Sequence, residues 1–137
     1  MPETQMNREI EFTSVPENIN IVESFVEQLK SEIGMSEEME ANVLVSLSEA
    51  VNNAIYHGNK LDPAKKVRMK VSKEENALTF SVEDEGPGFN SDTVKDPTAP
   101  ENLDKPTGRG VFLMRNLADK VEFADGGRKV VITFNLP

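Results

Sequence analysis

Hydrophobic positions in this chain switch between two periods, and the switches mark out its elements. Ile10 and Phe12 alternate with charged residues over about Glu9 to Thr13, which predicts a short strand. Ile19, Val22, Phe25, Val26, Leu29 and Ile33 then recur at helical spacing as far as Gly34, predicting an amphipathic helix. Its start is expected at Ser14-Val15-Pro16-Glu17, where Ser and Glu stand at capping-box spacing and Pro is tolerated in the first turn. A second helix is predicted from Ser36 to about His57, with Glu37 and Glu38 suited to its positive end and Gly58 stopping it. Its apolar stripe is Met39, Val43, Leu44, Leu47, Ala50, Val51, Ala54 and Ile55, and along one margin Ser46, Glu49, Asn53 and His57 form a polar ridge.

Beyond Gly58 the period returns to two. Strands are predicted over about Val67 to Ser72 and Ala77 to Asp84, joined through Lys73-Glu74-Glu75-Asn76 as a hairpin. The segment from Glu85 to Gly108 has no period and is rich in Pro, Asp and Asn; loops of that length inside a compact domain are usually functional lids or disordered segments. A third helix opens at Gly108-Arg109-Gly110 and carries Val111, Phe112, Met114, Leu117 and Ala118. The chain closes with strands near Lys120 to Ala124 and Lys129 to Leu136 around Asp125-Gly126-Gly127. The order strand, two helices, two strands, helix, two strands indicates an α+β fold. Helices would cover one face of a mixed, mostly antiparallel sheet in a two-layer α/β sandwich.

Composition narrows the function classes. The 137 residues fit one domain, 1–137, and 37% hydrophobic content with charges of both signs fits a soluble globular protein. With 24 acidic against 15 basic residues the net charge of -9 opposes a nucleic-acid backbone. The densest basic cluster is Lys65-Lys66 with Arg68 and Lys70, and the last three alternate as the solvated face of a strand. The absence of cysteine excludes disulfides and thiolate metal sites, and a single histidine excludes a multi-histidine one. No apolar run is long enough to cross a bilayer and the first residues do not read as a signal peptide, so the expected compartment is the cytoplasm.

Three stretches carry candidate chemistry. Asp84 falls in phase with the inward-pointing Leu78, Phe80 and Val82, and the chain then turns through Gly86, Pro87 and Gly88. Such an aspartate either caps an ordinary turn or is a buried acceptor beside a ligand. Glycines at Gly108 and Gly110 would leave the N–H groups of a helix start open to an anion. Asn53 offers Mg²⁺ a neutral oxygen, a ligand type that suits a metal bridging phosphates. Taken together these are the parts of an ATP site.

The same residues resemble a known family. Glu49-x-x-x-Asn53-Ala54, Asp84-x-Gly86-x-Gly88-Phe89 and Gly108-x-Gly110 are similar, in order, to the N box and two glycine boxes of the Bergerat-fold ATPase superfamily. Within it, Leu47-Ser48-Glu49-Ala50-Val51-Asn52-Asn53-Ala54-Ile55-Tyr56-His57-Gly58 most resembles the small bacterial anti-sigma factor serine/threonine kinases. The resemblance implies ATP and Mg²⁺ as cofactors, phosphorylation of a small STAS-type anti-sigma factor antagonist, sequestration of a sigma factor, and a homodimer. No direct nucleic-acid or membrane partner is implied.

By position, the resemblance makes Glu49 the general base, Asn53 the Mg²⁺ ligand and Asp84 the reader of the adenine amine. Gly86, Gly88 and Phe89 would line the nucleotide. Thr107, Gly108, Arg109 and Gly110 would face the phosphates under an ATP lid of about residues 85–109. Arg109 departs from the residue types expected between the two glycines and is either a phosphate contact or a solvent-facing lid residue; Lys105 stands before Pro106-Thr107 where the family tends to place a basic residue. His57 matches the end of the N box and suits a helix-terminal capping role. Two other readings use the same motifs: a nucleotide-gated binding module without transfer, and an ATP-binding partner of a histidine-phosphorelay protein.

Overall fold

The computed structural model describes residues 6–74, 76–86 and 106–136. Strand β1 runs Met6–Thr13, β2 Lys66–Glu74, β3 Ala77–Glu83, β4 Lys120–Ala124 and β5 Lys129–Asn135. They form one sheet in the order β1-β2-β3-β5-β4, and every pairing is antiparallel. The expected α+β, two-layer arrangement holds, with a sheet that is antiparallel in all its described pairings. β1 extends further towards the N-terminus than its hydrophobic signal, because Met6 to Arg8 continue the ladder opposite Lys73 to Val71.

Register explains the core. Met69 lies opposite Val82, Val71 opposite Phe80, Phe80 opposite Ile132, and Val82 opposite Val130, so one face of the sheet is a continuous apolar layer. Phe80 and Phe134 meet edge to face with centroids 6.0 Å apart. The opposite face is ionic: Arg68 reaches Glu9, Glu11 and Glu83, while Lys66 pairs with Glu11 and Lys70 with Glu9. Lys66, Arg68 and Lys70 are thus matched across the sheet rather than gathered for a polyanion. All are exposed, so the pairs set surface character more than stability.

Helix α1 spans Ile19–Ile33, α2 Glu37–Asn52 and α3 Pro106–Leu117. α2 packs against both α1 and α3 and reaches β3 and β5. Gly34 ends α1 with φ 73°, a left-handed conformation that suits glycine, and its N–H donates to the Lys30 carbonyl. Ser36 caps α2 by accepting from the Met39 N–H at 3.1 Å, with Glu37, Glu38 and Glu40 in the first turn. The Ser14/Glu17 capping box does not form. Pro16–Asn18 is a 3₁₀ turn leading into α1, and buried Ser14 donates instead to the Lys65 carbonyl at 2.7 Å. A hydroxyl buried beside a carbonyl 51 residues away in sequence is drawn to that partner rather than to a helix end.

The second predicted helix also changes character before its end. The α-helix stops at Asn52 and Asn53–Gly58 forms a π turn, with the Asn59 N–H donating to the Ala54 carbonyl at 2.7 Å. π turns inside α-helices recur at functional sites. Here the wider turn carries His57 into solvent and brings Gly58 against Asp84.

Candidate nucleotide site

Two clusters lie at the ends of this π turn. At its start, Glu49 and Asn53, one helical turn apart and both half-buried, converge on Gly110 in the second turn of α3. A Cβ placed on Gly110 would lie 3.0 Å from Glu49 Oε2 and 3.1 Å from Asn53 Nδ2. The glycine is what allows a carboxylate, an amide and the opening turns of a helix to share this space. Helix α3 begins at Pro106, two residues before the expected Gly108, so Thr107, Gly108 and Arg109 belong to its first turn. Proline at a helix's first position gives up an N–H that has no partner there, and the amides that follow form the positive pole.

At the other end of the π turn stand Asp84, Gly58 and Gly86. Asp84 follows β3 directly; its N–H donates to the Arg128 carbonyl at 2.9 Å, and its Oδ1 accepts from the Gly86 N–H at 2.8 Å. Oδ2 is left as the oxygen nearest Gly58. Burial pushes the Asp84 carboxyl above the ordinary aspartate range, against the opposing pull of the Gly86 N–H and the Arg128 charge. Gly58 and Gly86 touch through their backbones, so a Cβ on Gly86 would overlap the Gly58 carbonyl, and one on Gly58 would overlap the Asp84 carboxylate.

Gly86 was expected to let a nucleotide approach closely; in this structure its missing side chain also makes room for the Gly58 backbone. Gly86→Ala is therefore expected to destabilise the fold by about 1–3 kcal/mol through overpacking and to move Asp84. Thermal unfolding with and without ATP checks this, and the stabilisation by ATP should shrink along with the Tm.

Of the polar ridge, Glu49 and Asn53 reach the site. Ser46 is wholly buried within the helix layer, with no partner for its hydroxyl among the described residues, and His57 lies exposed in the last turn. Gly88, Phe89, Lys105 and most of the expected lid lie outside the described residues. Sequence reasoning read Gly58 as a helix stop and did not single out Asn59. Asn59 is 1% exposed and ties three segments together: its Nδ2 donates to Ser14 Oγ at 2.7 Å and to the Lys66 carbonyl at 3.0 Å, and its Oδ1 accepts from the Glu85 N–H at 2.7 Å.

The family model of the histidine kinase-like ATPase domain matches residues 12–134, which include both clusters. The chain belongs to this family. Among proteins similar to this histidine kinase-like ATPase chain is the anti-sigma F factor of Bacillus cytotoxicus, 32% identical over 117 residues that cover 82% of this chain and 79% of the relative. The serine-protein kinase RsbW of Bacillus licheniformis is 30% identical over 132 residues, covering 91% and 82%. A crystal structure of the RsbU and RsbW domains of a Mycobacterium tuberculosis protein superposes with a TM-score of 0.66 at 16% identity. That match covers 96% of this chain and 31% of the longer one, and it establishes a shared fold.

The residues present fit an adenine nucleotide. Asp84 Oδ2 is a carboxylate acceptor packed against Gly58, and the α3 start offers amides to an anion. Among the described residues no three His, Cys, Asp or Glu side chains gather into a metal cage. A divalent ion here suits the other arrangement, few protein ligands plus nucleotide phosphates.

Proposed function

We propose that this chain is an anti-sigma factor with serine/threonine kinase activity, which uses ATP to phosphorylate a small STAS-type antagonist and holds a sigma factor when the antagonist is modified. The convergence of Glu49 and Asn53 on Gly110 carries this reading, because it sets a carboxylate next to the opening turns of α3. Glu49 would take the proton from the attacking serine or threonine hydroxyl as that oxygen bonds to the γ-phosphorus and ADP departs. Asn53 would hold Mg²⁺, which when bound would neutralise phosphate charge. Asp84 would accept from the adenine amine, and the first-turn amides of α3, with Arg109, would face the phosphates. Residues 85–109 would form the lid, and the working unit would be a homodimer.

The family membership supports ATP use, and the names of two sets of relatives, anti-sigma factor and serine-protein kinase, support the pairing of sequestration with transfer. No helix among the described residues is long and apolar enough to cross a membrane, which fits a cytoplasmic partner set. Nucleotide-dependent co-purification from the source cell tests the partners. A sigma factor retained with one nucleotide and released with another supports the reading; no sigma factor under either contradicts it.

The raised Asp84 carboxyl adds a pH dependence. Its charge is present above that raised value and is lost as pH falls through it, so ATP affinity should decline at a pH above the range where an exposed aspartate protonates. Titration calorimetry across that range, at constant ionic strength, checks the direction.

A further inference from the structure

We propose that Asn59 is the positioning residue for the adenine end of the site: it fixes where Asp84 stands, and so sets the preference for a purine with an amino group at carbon six over one with a keto group. This rests on the reading of Asp84 as the adenine acceptor. The three amides from Asp84 to Gly86 are each committed, to the Arg128 carbonyl, to Asn59 Oδ1 and to Asp84 Oδ1 in turn. The first anchors the strand end to β5, and the third closes the turn on itself. Among the described residues, the hydrogen bond from the Glu85 amide to Asn59 is the one that ties this turn to the helical layer.

Asn59 is built to hold that bond in one orientation. The Glu85 N–H requires an oxygen and the Lys66 carbonyl requires an N–H, so the side-chain amide cannot be reversed. Its backbone is fixed as well, since its N–H donates to the Ala54 carbonyl and its carbonyl accepts from the Asp62 N–H at 3.0 Å. Glu85 is held from the other side by the Lys66 N–H, which donates to Glu85 Oε1 at 2.6 Å. The segment so clamped contains Gly86, whose backbone has little stiffness of its own. One buried side chain thus links the end of the π turn, the start of β2 and the residue after Asp84. A small change in that link alters the angle at which the carboxylate meets the base.

The test compares binding of ATP and inosine triphosphate, which share ribose and triphosphate and differ in the six-position group, using the full chain. The wild type is expected to prefer ATP. Asn59→Ala should narrow that preference by about tenfold or more, mostly through weaker ATP binding, since small displacements of a positioned group cost factors of this order. Ser14→Ala removes one partner of Asn59 and leaves the Glu85 bond in place. It should lower the Tm while keeping the wild-type preference, which a purely structural role for the network would not separate. Should Asn59→Ala fail to fold, Asn59→Ser, which keeps a hydroxyl for Ser14 but is too short for the Glu85 amide, takes its place with the same expectation. A folded Asn59 variant with the wild-type preference overturns the inference, as does a Ser14→Ala variant that narrows it equally. A wild type without preference for ATP overturns the adenine reading of Asp84 first and this inference with it.

Discussion

Asp84→Asn is expected to abolish measurable ATP binding while the chain stays folded. Asp84 Oδ1 accepts the Gly86 N–H, so an asparagine that preserves this bond must turn its NH₂ to the Oδ2 position. A donor would then face the adenine amine, itself a donor, where an acceptor stood. The loss of a charge-assisted hydrogen bond and the burial of two unmatched donors together cost about 3–4 kcal/mol, or roughly two to three orders of magnitude in affinity.

The sign of the pKa shift separates this from unfolding. Burial raises the Asp84 carboxyl in the folded state above its unfolded value, so the folded protein holds that proton more tightly, and ionisation at neutral pH works against folding. Removing the charge should leave the Tm unchanged or higher. Calorimetric titration with ATP and a melt without it read the two effects independently; retained affinity would place the adenine elsewhere.

Glu49→Gln is expected to have the opposite profile: ATP binding close to wild type and phosphoryl transfer reduced by about 10²–10⁴-fold, the usual contribution of a positioned general base. Gln has nearly the same shape and keeps an oxygen towards Gly110, so the packing of α2 on α3 should survive. Transfer at the wild-type rate in this variant would remove Glu49 from the chemistry and leave nucleotide-gated binding as the better description. A variant that also loses ATP would instead indicate that the carboxylate supports the nucleotide pocket itself.

The parts of this fold set by short-range pattern were legible in the sequence. Leu78, Phe80 and Val82 face the core as their alternation predicts, and Asp84 follows in that phase. Ser36 and Gly34 cap their helices because caps depend on residues within a turn. What was not legible depends on partners far along the chain. Ser14 and Glu17 have the spacing of a capping box, yet Ser14 bonds to Lys65 and Asn59, which no local window contains. The π turn has no residue signal of its own, so a ridge spaced for an α-helix ended on His57 where the structure uses Gly58. Gly86 was read as room for a ligand because a glycine turn beside an aspartate fits that need; that its missing side chain also admits the Gly58 backbone depends on a partner 28 residues away.

The candidate site was legible in which residues meet more than in what supports them. Glu49, Asn53 and Gly110 meet as the motif spacing implies, since a carboxylate and an amide four residues apart on a helix share a face. Asn59, which braces the turn after Asp84, could not be told from any asparagine following a helix-ending glycine.

Incubation of the chain with γ-labelled ATP and a STAS-type antagonist candidate from the source cell tests the central claim most directly. The account predicts label on a serine or threonine of the antagonist, stable to acid as a phosphoester is, and lost with Glu49→Gln. No label on that protein while ATP is demonstrably bound, or label on a histidine, would contradict it.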